Sequence, residues 1–327
     1  MKSHIINFPT YLQEGYALGK TQSVSHLRPG FERLVLVGMG GSGMVAVVLK
    51  TLLERAEHAI PCEVIHDYFV PNRVDKKTCM IVVSYTGNTE ETLQAMHDGL
   101  QKWASMIAVT SWWALLTFAK RHQQTVVQLP TWIEPRAAVP YALWVQTALL
   151  EQFGLIAPQM KSSIAALNSF IDQHNAHIQT QAQTLAEHIA PCIPVMYTTP
   201  EFTGLAVRFR QQLNENSRML CRHHIIPEMN HNELLGRQEW NKNVKALFLL
   251  NPDTYVRNKK RIELTKEVLH ERHVPYFDIV IHGETLLEKI LIGMYTVDRI
   301  SYYTAVQRNV DPDEVKLIAW LKGELGK

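Results

Sequence analysis

Two α/β domains, each a doubly wound parallel sheet, are predicted by three features of the sequence. Short, unbroken apolar runs recur through both halves of the chain: 34–38 (LVLVG), 80–84 (MIVVS), 106–110 (MIAVT), 246–250 (ALFLL) and 276–281 (YFDIVI). Between them lie segments with the apolar spacing of helices. The length of 327 residues is that of about two ordinary domains. Continuous apolar strands alternating with helices indicate a parallel sheet covered on both faces.

Taken in order, the first half supplies about five strands: 34–38, a weaker 63–66, then 80–84, 106–110 and 125–129. Helical spacing fills 45–53, 89–103 and 115–121. Segments 137–154 and 161–188 read as helices with little strand character around them. The βα theme then returns, with strands at 195–198, 224–226, 246–250 and 276–281 and helices at 202–219, 256–270 and 286–306. The expected domains are 1–155 and 156–327.

Composition narrows the function classes. Hydrophobic residues make up 46% and charged residues 20%, which is globular composition and not that of a disordered chain. A formal net charge of +2 builds no broad basic face, so no nucleic-acid partner is expected and any anion must be held locally. No apolar run reaches the length of a membrane span, and the first residues have no signal-peptide core. The four cysteines, Cys62, Cys79, Cys192 and Cys221, form no C-x-x-C pair and read as idle thiols in a reducing compartment, so a cytoplasmic location is expected.

Gly38-Met39-Gly40-Gly41-Ser42-Gly43 follows a strand and precedes a helix, which is the context of the dinucleotide fingerprint. Asp67 near the end of the second strand even supplies an acidic residue. A nicotinamide enzyme and a ligand-free glycine turn therefore both stand as readings of this loop. A P-loop does not, because Met44 and Val45 occupy the positions of its Lys and Ser/Thr.

The next loop shifts the balance. Ser84-Tyr85-Thr86-Gly87-Asn88-Thr89 puts three hydroxyls around one glycine at the mouth of a helix. Unpaired amides at a helix start carry partial positive charge, and hydroxyls added there make a pocket suited to a phosphate monoester. Ordinary capping by Thr89 would explain one hydroxyl but not three. Both loops leave the carboxyl ends of neighbouring strands, where open α/β sheets bind ligands.

These loops resemble the sugar isomerase (SIS) domain, a doubly wound, flavodoxin-like module that binds phosphosugars. Further segments resemble the bifunctional phosphoglucose/phosphomannose isomerase family: Pro135-Arg136-Ala137-Ala138-Val139-Pro140, Asn214-Glu215-Asn216, Asn230-His231-Asn232-Glu233, Ser301-Tyr302-Tyr303, and Val310-Asp311-Pro312 with Leu321-Lys322. The resemblance covers nearly the whole chain. Two positions depart from it. Thr86 stands where Ser is usual and keeps a hydroxyl. Asp313-Glu314 replaces Thr-Pro, at a point where the family's Thr is implicated near the sugar.

The resemblance implies an aldose–ketose isomerase acting on glucose 6-phosphate and mannose 6-phosphate through a cis-enediol. Glu215 would be the base, since a carboxylate can take a proton from one carbon and return it to the next. His231 would assist ring opening, supplied by the partner subunit of a homodimer. Arg136 would stabilise the enediolate, and Lys322 would lie near the ring-opening site. Gly41, Ser42, Ser84, Thr86 and Thr89 would hold the phosphate. No cofactor is expected. No metal is expected either, because His270-Glu271-Arg272-His273 lacks the H-E-x-x-H spacing, His223 and His224 would point apart on a strand, and His174 and His177 sit on a polar helix. The alternative from another class is a non-catalytic phosphosugar sensor, which would keep the hydroxyl loop without needing Glu215 or His231.

Overall fold

The computed structural model describes every residue except 25–26, 28–29, 59, 237–242 and 326–327. The chain forms two units. One comprises Ile6–Asn168 with Thr285–Glu288, and the other Met1–Ile5, Ser169–Glu284 and Lys289–Lys327. After the short α1 (Lys2–Ile6), the first unit runs α2 (Phe8–Thr21), β1 (Arg33–Gly38), α3 (Gly40–Leu53), β2 (Cys62–Ile65), β3 (Thr78–Val83), α4 (Glu90–Gln101), β4 (Ser105–Thr110), α5 (Trp113–Arg121), β5 (Thr125–Gln128) and α6 (Val139–Gln152). Its sheet is wholly parallel in the order β2-β1-β3-β4-β5, the doubly wound arrangement whose switch point lies between β1 and β3.

The predicted strands fall where the apolar runs lie because β1, β3 and β4 are covered on both faces. Every residue of β3 is buried. Val35, Val37, Met80, Val82, Met106 and Ala108 meet Ala95 and Met96 of α4 and Leu115 and Ala119 of α5 in one core. Helix α2 is the element the apolar pattern did not announce. Its glycines read as breakers in a sequence, yet they are what lets it approach α6. A Cβ at Gly15 would press on the Tyr141 backbone 2.8 Å away, so only glycine permits this crossing.

The chain enters the second unit within α7 (Met160–Ile189) and continues through β6 (Ile193–Thr198), α8 (Thr203–Asn216), β7 (Arg222–Ile225), β8 (Val244–Leu250), α9 (Val256–Glu271), β9 (Tyr276–Val280), α10 (Leu286–Gln307) and α11 (Lys316–Leu325). This sheet is also parallel, in the order β7-β6-β8-β9. Tyr197, Ala246 and Phe248 share a core with Ile262 and Leu269 of α9. Helix α8 stops before the predicted 219 because Arg218 takes a left-handed backbone (φ 48°), which closes the last turn. Helix α11, also unannounced, buries none of its residues.

Candidate active site

The register Gly38↔Val83 brings the loops after β1 and β3 out of the sheet side by side. In the second loop the hydroxyls turn toward one another. Ser84 Oγ and Thr89 Oγ1 are 2.8 Å apart, and the Gly87 amide donates to Ser84 Oγ at 3.1 Å. Thr89 occupies the cap position of α4 yet makes no side-chain capping bond, so its hydroxyl belongs to the loop and the first amides of α4 stay available. Gly87 carries φ +73°, and a Cβ there would overlap the Trp112 carbonyl oxygen. Thr86 is partly exposed beside it.

Gly41 and Ser42 lie in the first turn of α3, both partly exposed. His66 at the end of β2 bonds the Gly38 carbonyl through Nδ1 at 2.8 Å and fixes the start of that loop. Arg136 sits in a 3-10 turn (Pro135–Ala137) ahead of α6, and its side chain is buried. A Cβ on Gly41 would press on Val139 at 2.7 Å, so the Arg136 segment and the start of α3 are packed together. The structure thus gathers Gly41, Ser42, Ser84, Thr86, Thr89 and Arg136 on the carboxyl end of one sheet.

Glu215 and His231 belong to the other unit. The two asparagines around Glu215 anchor the end of α8. Asn214 Oδ1 accepts from the Cys221 amide at 3.2 Å, and Asn216 donates to Ser301 Oγ at 3.0 Å. Glu215 between them is partly exposed. His231 ends a 3-10 turn (Glu228–His231) and is exposed. Lys322 stands on α11, exposed.

A further cluster has no role that the sequence pattern assigns, although one member belongs to the Asn230-His231-Asn232-Glu233 segment. Glu233 accepts from Tyr197 Oη at 2.6 Å and pairs with His224 Nδ1 at 2.7 Å. Burial raises the Glu233 carboxyl above the usual range. This clamp ties the His231 segment to β6 and β7. His223, the neighbour of His224, is pushed down to about 4 by burial, with Arg210 and His224 adding to the effect, and its Nδ1 is buried without a partner.

The switch point of the second sheet, between β6 and β8, is taken by the protein's own carboxylate. Glu201 is buried and accepts from Thr199 Oγ1 at 2.7 Å and Asn251 Nδ2 at 3.0 Å. Burial works against its ionisation, but hydrogen bonding to its carboxylate, from Thr199 and Asn251 among others, outweighs it and holds the carboxyl below its ordinary value.

Asp313, which stands where the resembling family has Thr, is held by the Met1 amino group, which donates to both its oxygens at 2.8 and 3.1 Å. Burial pushes the Cys62, Cys79 and Cys221 thiols up to about 12. Among the described residues no group of three or more His, Cys, Asp or Glu is placed to hold a metal ion, and no helix is long and apolar enough to cross a membrane.

Comparison with known proteins adds to this geometry. Residues 31–155 match the SIS domain, and residues 178–325 match the bacterial phospho-glucose isomerase C-terminal SIS domain. The chain is 30% identical to a bifunctional phosphoglucose/phosphomannose isomerase of Caldicellulosiruptor bescii, over 100% of this chain and 99% of that protein. It is 29% identical to a protein of the same name from Thermoplasma volcanium, over 90% and 92%. Among solved structures, the C-terminal domain of glucosamine-fructose-6-phosphate aminotransferase from Francisella tularensis superposes with a TM-score of 0.76 at 14% identity, covering 95% of this chain and 97% of that one. At that identity the likeness is one of fold.

Proposed function

The chain belongs to the bifunctional phosphoglucose/phosphomannose isomerase family, and from that premise we propose that it interconverts fructose 6-phosphate with glucose 6-phosphate and mannose 6-phosphate through a cis-enediol. The phosphate is held by Ser84, Thr86 and Thr89 with the first amides of α4, and by Gly41 and Ser42 at the start of α3. Glu215 carries the proton between C1 and C2. His231, from the partner subunit of a homodimer, passes the proton of the anomeric hydroxyl to the ring oxygen as the ring opens, and Lys322 assists there. Arg136 stabilises the enediolate oxygen, where a preorganised cation is most effective.

The transfer is internal. One carbon is reduced as its neighbour is oxidised, so electrons balance with no nicotinamide and no metal redox step. We place the protein in the cytoplasm, where its substrates would be met without export.

The observation that carries this reading is the Ser84–Thr89 hydroxyl pair at 2.8 Å over the Gly87 amide. Thr89 spends its hydroxyl on Ser84 and not on capping α4, which keeps the first amides of that helix open to an anion. The exposure of His231 supports a role at a second copy of the chain. The test is to incubate EDTA-treated protein with fructose 6-phosphate, assay both aldose products separately, and run Glu215→Gln alongside. Both products, lost in the variant, are expected. If neither forms while hexose phosphate still raises Tm, the chain is a phosphosugar-binding protein and not an isomerase.

A further inference from the structure

Among the described residues, six that are not glycine have a left-handed backbone. Five of them (Trp103, Gln123, Arg218, His273 and Asn309) stand two positions beyond the ends of α4, α5, α8, α9 and α10, where such a residue closes the last helical turn. Trp113, at φ 61°, is the sixth, and it opens a helix instead of ending one. Capping does not account for it. A bulky residue in this conformation is costly, and proteins keep such strain chiefly at functional sites.

The strained residue is fastened to the hydroxyl loop. The Gly87 carbonyl accepts from the Leu115 amide at 2.9 Å, and Asn88 Oδ1 accepts from the Ala114 amide at 3.3 Å. On the other side the Ser111 amide donates to the Tyr85 carbonyl at 3.1 Å. The Trp112 carbonyl closes over Gly87, leaving no room for a Cβ. Loop 111–115 and the hydroxyl loop are therefore one rigid piece. Yet both indoles are left in solvent, 42% exposed at Trp112 and 61% at Trp113, with ring centroids 5.8 Å apart. Burial is not what these rings are held for.

We propose that Trp112 and Trp113 form an aromatic wall beside the phosphate pocket that takes the C–H face of the hexose chain and so selects sugar phosphates over phosphate itself. The proposal rests on the phosphosugar reading above. Its chemistry is that of an aromatic face, electron-rich at its centre, meeting polarised C–H groups. Ligand pockets are commonly built this way, with apolar aromatic walls and a few placed polar groups.

The test compares Trp112→Ala, Trp113→Ala and Trp113→Gly with the wild type for two ligands, fructose 6-phosphate and inorganic phosphate. Glycine at 113 should relieve the backbone and raise Tm. The same change should raise KM for fructose 6-phosphate by roughly threefold to tenfold, with kcat little changed and inhibition by inorganic phosphate unaltered. An unchanged KM in all three variants overturns the proposal. So does a parallel weakening of both ligands, which would mean that the tryptophans only brace the hydroxyl loop. If the wild type binds fructose 6-phosphate without isomerising it, the isomerase reading alone fails, and the same comparison is made on dissociation constants from thermal shift.

Discussion

Ser84 and Thr89 face each other with their hydroxyl oxygens 2.8 Å apart, at the carboxyl end of β3 and the start of α4. The Gly87 amide donates to Ser84 Oγ at 3.1 Å and orients the pair, which leaves one hydroxyl proton for an anion beside the first amides of α4. A hydrogen bond to a charged group contributes about 1.5–3 kcal/mol. Ser84→Ala or Thr89→Val should therefore raise KM for fructose 6-phosphate by roughly tenfold to a hundredfold. Tm should move little in Thr89→Val, because Thr89 makes no capping bond to lose, and somewhat more in Ser84→Ala, where the Gly87 amide loses its acceptor. Steady-state kinetics beside a melting curve checks this. A large fall in Tm with KM unchanged would make the hydroxyl pair a structural device.

Stability should depend on His223 in the acid range. Burial, reinforced by Arg210 and His224, pushes it down to about 4, whereas an unfolded chain holds a His near 6.5. Between those values the unfolded chain binds a proton that the folded chain refuses. Stability therefore rises with pH across this window and is lost as pH falls from about 6.5 toward 4. His223→Gln removes that contribution, so its urea midpoint should fall less steeply on acidification than the wild type's. Equal slopes for the two proteins would show that other groups govern acid stability.

Much of the fold was legible because buried parallel strands carry their signal locally. The run at 80–84 reads as a strand from its own residues, and β3 is buried throughout. What escaped depends on distant partners. The two glycines of α2 read as breaks until α6 is there to be approached. The hydroxyl loop could be recognised from Ser84, Thr86 and Thr89, but whether Thr89 caps or faces Ser84 is a matter of side-chain direction. The Glu233 clamp joins residues from three separate segments, and no short pattern announces such a meeting. The wall of Trp112 and Trp113 was invisible for another reason: two adjacent tryptophans look like core, and only their exposure says otherwise.

Glu233 offers a test of positioning. Its carboxylate holds Tyr197 Oη and His224 Nδ1 at 2.6 and 2.7 Å, and so fixes the segment that carries His231. Glu233→Ala should lower kcat by roughly tenfold or more while leaving phosphate inhibition intact, since the hydroxyl loop belongs to the other unit. Glu233→Gln, which keeps two hydrogen-bonding atoms, should recover part of the rate. If Ala and Gln behave alike and only Tm falls, the clamp serves folding alone.

The pair Arg208 and Asp298 makes the sharpest stability prediction. Arg208 Nε and Nη2 donate to the two Asp298 oxygens at 3.0 and 2.7 Å, and both side chains are buried. Desolvation makes such a pair a poor source of net stability, yet removing one partner strands a buried charge. Arg208→Met should therefore cost about 3–5 kcal/mol in urea denaturation. The double variant Arg208→Met with Asp298→Leu removes both charges and should regain most of that loss. A double variant as unstable as the single one would mean that the bidentate geometry holds α8 on α10 in a way apolar packing cannot replace.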